Sequence, residues 1–122
     1  MKALRILTST LTVAACCLLL TAGLSAHMKV EKTEPAASAV VAAPAPHVQV
    51  FFSEAPDLAM SKLEIKGPSA KTTLTALHTM GNSLMAMVQG DMPDGAYTVS
   101  WQTAGPDGHV QKGEFTFTVK KK

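Results

Sequence analysis

The sequence predicts an all-β fold, a seven-stranded immunoglobulin-like Greek-key sandwich or barrel, behind an N-terminal leader. Short runs of alternating apolar and polar residues recur along the chain and are separated by Pro and Gly, the pattern of all-β domains. No stretch beyond the leader has helical periodicity. Without the leader, 96 of the 122 residues remain, enough for one small domain. We therefore expect a single domain over residues 27–122.

Residues 1–26 have the layout of a cleaved secretory signal peptide. Lys2 and Arg5 form a short positive region, residues 6–20 are mostly apolar, and a small residue, Ala26, stands at the junction. Several Thr and Ser residues interrupt the segment, so it makes a poor permanent membrane span. We expect cleavage after Ala26 and export to an oxidising compartment.

Three alternatives for the leader remain open: a retained anchor, lipidation at Cys16, and cleavage after Ala22. Cleavage after Ala26 removes Cys16 and Cys17, the only cysteines, so the mature chain has no disulfide. It also removes Lys2 and Arg5, which leaves nine basic against nine acidic residues. No basic stripe predicts a nucleic-acid partner, and nothing demands a dimer, so we expect a monomer.

The strands are predicted in chain order as follows. Residues 28–32 form the first, and residues 35–46 form a surface connection with an edge segment. In residues 47–52, Val48, Val50 and Phe52 alternate with His47, Gln49 and Phe51. The remaining candidates are residues 62–66, 71–77 (a weaker one), 84–88, 96–101 and 115–119. Two antiparallel sheets with one apolar face each bury a core between them.

Few residue types in the predicted domain are suited to chemistry. It has no cysteine nucleophile, no Gly-x-Ser-x-Gly turn and no Gly-rich loop leading into a helix. The sequence therefore predicts no enzyme, and the candidates that remain are histidines, carboxylates and methionines.

Asp107 and His109 flank Gly108 in the loop between the last two predicted strands. A carboxylate beside an imidazole is either half of a metal site or a pair in which the carboxylate orients the ring. Alone, the motif is weak evidence, because Asp-Gly is a common turn dipeptide.

His27 strengthens the metal interpretation. After cleavage at Ala26 its α-amine and its ring Nδ1 would chelate one ion. With Asp107 and His109 the set becomes three nitrogens and one oxygen, which suits one Cu(II) ion per chain. If cleavage occurs elsewhere, His27 is an ordinary exposed residue.

Several short sequence motifs accompany these residues, and they follow one another along the chain in a fixed order. They are the post-cleavage His27, PAASA from Pro35, PHVQVFFSE from Pro46, SKLEI from Ser61, GAYTVSW from Gly95, DGH from Asp107 and GEFTFTV from Gly113. In this order and spacing the chain resembles the CopC-type periplasmic copper-resistance proteins. The resemblance implies a seven-stranded Greek-key β-barrel or sandwich and Cu(II) held by His27 (amine and ring), Asp107 and His109. It also implies a CopD-like inner-membrane copper-transport protein as a separate partner.

Two departures from the family pattern stand out. Val110 follows the loop histidine where the family usually has Pro, and residues 67–73 contain none of the methionines that form a Cu(I)-binding loop in some members. Met85 and Met87, two apart in a predicted strand, are expected to pack in the core. His47 and His78 are expected to be exposed and not to bind the ion.

The leading hypothesis is a carrier or buffer of Cu(II) in copper resistance or homeostasis. A second is a copper-dependent oxidative enzyme with a histidine brace, such as a polysaccharide monooxygenase. Those enzymes usually present exposed aromatics, whereas Tyr97 and Trp101 are predicted to face the core. A third is a metal-free immunoglobulin-like module that acts by protein contact, which leaves the coincidence of His27 with Asp107 and His109 unexplained.

Overall fold

The computed structural model describes residues 28–121, and the predicted signal peptide and His27 lie outside this range. It confirms the all-β prediction. The strands are β1 (Val30–Glu34), β2 (Val40–Val41), β3 (His47–Phe52), β4 (Lys62–Lys66), β5 (Thr73–Met80), β6 (Ser83–Gln89), β7 (Gly95–Ala104) and β8 (Val110–Val119). One short 3-10 helix, Leu58–Met60, follows β3. Within the described residues no helix has the length and apolar character needed to cross a membrane.

The strands form two four-stranded sheets packed as a sandwich. The first sheet has the order β1-β3-β6-β5 and the second has the order β2-β8-β7-β4. All pairs are antiparallel except β2, which runs parallel to β8 at the edge of the second sheet. The eighth strand, beyond the seven predicted, is this two-residue β2. It corresponds to the edge segment expected between residues 35 and 46.

The core lies between the inner faces of the two sheets, as the alternation predicted. From β3, Val48, Val50 and Phe52 are buried, and the ring of Phe52 packs edge-on against Trp101, with centroids 5.2 Å apart. The other buried apolar side chains of this core cluster are Met28, Leu84, Ala86, Met92, Tyr97, Val99, Phe115, Phe117 and Val119. Because β4 and β7 pair in register, Leu63 and Ile65 also pack against this core.

Tyr97 ties the start of β7 to the loop before it. Its ring is fully buried and stacks on Phe117 at a centroid distance of 5.4 Å. Its hydroxyl donates a hydrogen bond of 2.5 Å to the backbone carbonyl of Pro93, four residues upstream. Burial raises the pKa of Tyr97 above its ordinary value. The arrangement resembles the tyrosine corner of antiparallel sandwiches.

The methionine prediction for β6 is wrong. Met85 and Met87 do share one face of β6, but it is the outer face, and Met87 is 38% exposed. Leu84 and Ala86 take the inner positions because they pair with the inward-facing Val50 and Val48 of β3. The run is apolar on both faces, so alternation alone could not distinguish them.

The fifth strand also differs from its prediction. It spans Thr73–Met80 and therefore includes His78, which lies beyond the predicted strand of residues 71–77. Its pairing with β6 shifts register between Thr75 and His78, and Ala76 lies there with φ 57. This bulge interrupts the period-2 pattern that sequence analysis relies on.

Candidate metal centre

The loop that joins β7 to β8 is a tight turn set by its own sequence. The amide of Gly108 donates to the carbonyl of Gly105 at 3.0 Å, which closes a four-residue turn. Pro106 and Asp107 occupy the two central positions, where such residues are favoured. Gly108 has φ 77, a conformation that a residue with a Cβ adopts at a cost. The chain can therefore reverse and bring the side chains on either side of Gly108 together.

The structure brings Asp107 and His109 into direct contact. The backbone amide of His109 donates to Asp107 Oδ1 at 3.1 Å, and the ring Nδ1 lies 3.0 Å from Asp107 Oδ2. A carboxylate oxygen only accepts, so in the neutral ring Nδ1 carries the proton and Nε2 carries the lone pair. The imidazole is 71% exposed, within reach of a dissolved ion. The carboxylate therefore orients the ring, and its role as half of a metal site stays a prediction.

Met28 is held against the same loop. Gln111, on β8, donates from its side-chain amide to the backbone carbonyl of Met28 at 3.1 Å. The Met28 sulfur lies 3.6 Å from the position that a Cβ on Gly105 would occupy. Lys29 and Ser53 exchange two further hydrogen bonds, of 2.9 and 2.8 Å. The start of the described chain is thus fixed beside the Asp107–His109 turn by contacts from two other segments.

A second carboxylate lies near this turn, and the sequence analysis did not single it out. Glu54, which follows β3, has its Oε2 3.6 Å from the Cβ position of Gly105. It stood in the PHVQVFFSE motif without an assigned role. No local spacing links Glu54 to Asp107, because the fold alone brings their segments together. Its negative charge adds to the attraction of this end of the sandwich for a cation.

The predicted ligand set is only partly within the described chain. Among residues 28–121, no three or more His, Cys, Asp or Glu side chains gather as a metal-binding group. Asp107 and His109 are present as a pair, and His27, the third member of the predicted set, lies outside the described residues. Ligation by these three residues stays a prediction.

The other two histidines lie elsewhere in the fold. His47 begins β3 and its Nε2 is 3.1 Å from Glu34 Oε2. His78 lies on β5, where its Nδ1 is 2.7 Å from the carbonyl of Ala76. Both belong to the first sheet, whereas the Asp107–His109 turn connects two strands of the second.

Comparison with known families identifies the chain. The CopC domain matches residues 30–120, nearly the whole described range. The chain belongs to the CopC family. Membership agrees with the resemblance found in the sequence motifs and makes this a protein of a copper-resistance family.

Two of the curated proteins that this chain resembles come from Escherichia coli. Protein YobA of strain K12 is 33% identical over 106 residues, with 84% of this chain and 86% of the relative covered. Copper resistance protein C is 30% identical over 112 residues, with 78% of this chain and 82% of the relative covered.

Solved structures of CopC proteins have the same fold. CopC from Methylosinus trichosporium OB3b superposes with a TM-score of 0.68 at 23% identity, covering 78% of this chain and 95% of that one. PcoC from Escherichia coli, described as a methionine-rich copper resistance protein, has a TM-score of 0.65 at 28% identity, covering 78% of this chain and all of that one. The predicted β-sandwich is therefore confirmed.

Proposed function

We propose that the mature protein is a periplasmic Cu(II) carrier, with no catalytic activity, that holds one ion per chain. The α-amine and ring of His27 supply two nitrogens, His109 a third, and Asp107 an oxygen. This tetragonal set of N and O donors suits Cu(II) above other divalent ions of the first transition row. The role is the uptake, buffering or transfer of copper, with a CopD-like inner-membrane protein as the recipient or donor.

The position of Met28 is the observation that carries this proposal. Consecutive Cα atoms are about 3.8 Å apart, so His27 is one such step from a residue fixed beside Asp107 and His109. Gln111 and the backbone around Gly105 hold Met28 there. Residues 107 and 109 are remote from residue 27 in sequence. Met28, the residue that follows His27, is nevertheless held close to them in space.

The chemistry of the turn fits a cation. The two oxygens of Asp107 that now accept hydrogen bonds from His109 are hard donors, and Glu54 adds a second negative charge close by. An α-amine has an ordinary pKa near 7.7–8.0, so a bound ion displaces its proton readily. Binding is therefore expected to release protons and to weaken as the pH falls.

A carrier is favoured over a histidine-brace oxidase by the location of the aromatics. Tyr97 is fully buried, and Trp101 packs against the core beside Phe52. The chain has one Trp and one Tyr, so neither residue type supplies a flat platform for a polymer. The metal-free adaptor hypothesis gives no reason for the convergence of His109, Asp107 and the Met28 segment.

The proposal is tested by Cu(II) titration of the mature protein, residues 27–122, against a competing chelator. We expect one tightly bound ion. His109→Ala should weaken the affinity at least tenfold, whereas His78→Ala, the matched control on the other sheet, should leave Cu(II) affinity unchanged. Equal affinities for wild type and His109→Ala would refute the assignment.

A further inference from the structure

The outer face of the first sheet carries two methionines and two histidines side by side. We call His47, His78, Met85 and Met87 the β6 cluster, because β6 lies between the two histidine-bearing strands. Met87 is directly opposite His47 on β3, and Met85 is directly opposite His78 on β5. Side chains that face each other across antiparallel strands have Cβ atoms about 4.5–5.5 Å apart. Each thioether therefore has an imidazole as its direct cross-strand neighbour.

The bulge in β5 is what places His78 in this cluster. In a regular strand, His78 would share a face with Leu74, which packs against the core. The extra residue at Ala76, with φ 57, reverses the alternation, so Leu77 turns inward and His78 turns outward beside Met85. Bulges are known to redirect a side chain in this way, often next to functional sites. The backbone is thus irregular at the point where the second imidazole joins the cluster.

Hydrogen bonds orient both rings of the cluster. The carbonyl of Ala76 only accepts, so the Nδ1 of a neutral His78 is the donor and Nε2 carries the lone pair. For His47 the roles reverse: Nε2 donates to Glu34, and Nδ1 carries the lone pair. Histidines that bind metals almost always have their second ring nitrogen held by a carboxylate or a backbone carbonyl. Both kinds of outer partner are present here.

The methionines are accessible to a dissolved ion. Met87 is 38% exposed, and Met85 is half-buried between Gln49 and His78. Leu84 and Ala86 already fill the inner positions of β6, so the thioethers are not needed for the core. Thioether sulfur with imidazole nitrogen is a soft donor set that selects Cu(I).

We propose that the β6 cluster is a Cu(I) site, with the sulfurs of Met85 and Met87 as the main ligands and the flanking imidazoles completing the coordination. It is separate from the proposed Cu(II) centre. His47 and Phe52 are five residues apart on β3, about 17 Å. The Phe52 end adjoins Ser53 and Lys29, which hold the start of the described chain. The Cu(I) proposal uses neither His27 nor Asp107, so it does not depend on the Cu(II) assignment.

The test is an anaerobic Cu(I) titration of mature protein against a chromogenic Cu(I) chelator. It compares wild type, Met85→Leu/Met87→Leu, and Met60→Leu. Met60 is a matched control because it is similarly exposed, at 42%, but lies away from the first sheet. It ends the 3-10 helix, and the next residue, Ser61, is hydrogen-bonded to Thr103 of the second sheet. Leucine keeps the volume and apolar character while removing sulfur. All variants are repeated with Asp107→Ala/His109→Ala to remove the proposed Cu(II) centre.

We expect the double Leu variant to bind Cu(I) at least tenfold more weakly in both backgrounds, with Cu(II) affinity unchanged, and Met60→Leu to match wild type. In a protein labelled with 13C at the methionine methyls, Ag(I), a Cu(I) mimic that does not change oxidation state, should shift Met85 and Met87 first. Equal Cu(I) affinities for the three proteins, or Ag(I) shifts spread evenly over all exposed methionines, would overturn the proposal. Unchanged Cu(II) affinity in Asp107→Ala/His109→Ala, with the expected Cu(I) loss in the double Leu variant, would refute only the proposed function.

Discussion

Asp107 accepts two hydrogen bonds from His109, one on each carboxylate oxygen. The backbone bond fixes the turn, and the ring bond fixes the direction and tautomer of the imidazole. Gly108 makes both contacts compatible because it adopts φ 77. A single carboxylate therefore shapes the loop and presents the histidine, before any role as a ligand is considered.

Asp107→Asn should weaken Cu(II) binding while preserving the fold. The amide oxygen of Asn still accepts from the His109 backbone, but the side chain loses its charge and one of its two acceptors. We expect a loss of Cu(II) affinity of about 10–100-fold, the usual range when a group that orients a metal-binding histidine is changed. Direct ligation of the ion by Asp107 would make the loss larger. Chelator competition measures it, with Asp91→Asn as a control in the loop that follows β6. Wild-type affinity in Asp107→Asn would rule out a role for the carboxylate.

Gln111→Ala should separate the N-terminal segment from the turn. The substitution removes the hydrogen bond to the Met28 carbonyl, worth about 0.5–1.5 kcal/mol, so the thermal midpoint should fall by only a few degrees. We expect a drop in Cu(II) affinity of severalfold, because His27 is then less well placed. The control is Gln102→Ala, on β7 directly opposite Lys112 of β8. A variant that binds like Gln102→Ala would show that Met28 anchoring is unimportant for copper.

Much of the fold follows from period-2 alternation. Val48, Val50 and Phe52 were correctly predicted to face the core, as was Tyr97. The same rule was uninformative for β6, because both of its faces are apolar. Which face turns to the core depends on the pairing of β6 with β3. It also misled at β5, because a one-residue bulge at Ala76 carries no reliable sequence signal.

The candidate site was predictable only as separate pieces. The Asp-Gly-His turn is local, so its residues could be recognised from composition and spacing. The docking of Met28 beside Gly105 and the approach of Glu54 are long-range contacts. Such contacts depend on the packing of the whole sandwich, and no local pattern encodes them.

Gly113→Ala should destabilise the protein through Trp101. A Cβ at residue 113 would lie 2.4 Å from the indole Cζ2, so the ring must move. Overpacking of this kind typically costs about 1–3 kcal/mol, which urea denaturation followed by circular dichroism would detect. In a Trp101→Phe background the smaller ring should reduce that cost. The same cost in both backgrounds would mean that strain arises elsewhere.

Tyr97→Phe should lower the free energy of unfolding at neutral pH and weaken the dependence of that free energy on pH in alkaline solution. Loss of the hydrogen bond to Pro93 costs about 0.5–1.5 kcal/mol. Burial raises the pKa of Tyr97 in the folded state, with a smaller contribution from Asp94, so unfolded chains ionise first as the pH rises above about 10. Wild type therefore loses stability there and the variant does not. Urea midpoints at pH 7 and 11 should show the gap narrowing, and a constant gap would contradict this account.

The central claim, that a free N-terminal His27 completes a Cu(II) centre with Asp107 and His109, is tested most directly by moving the amine. Two mature proteins are compared, one beginning at His27 and one with a single glycine before it. We predict that the added glycine changes the Cu(II) electron paramagnetic resonance spectrum and weakens binding at least tenfold, or about 1.4 kcal/mol. Identical spectra and affinities for the two proteins would contradict the claim.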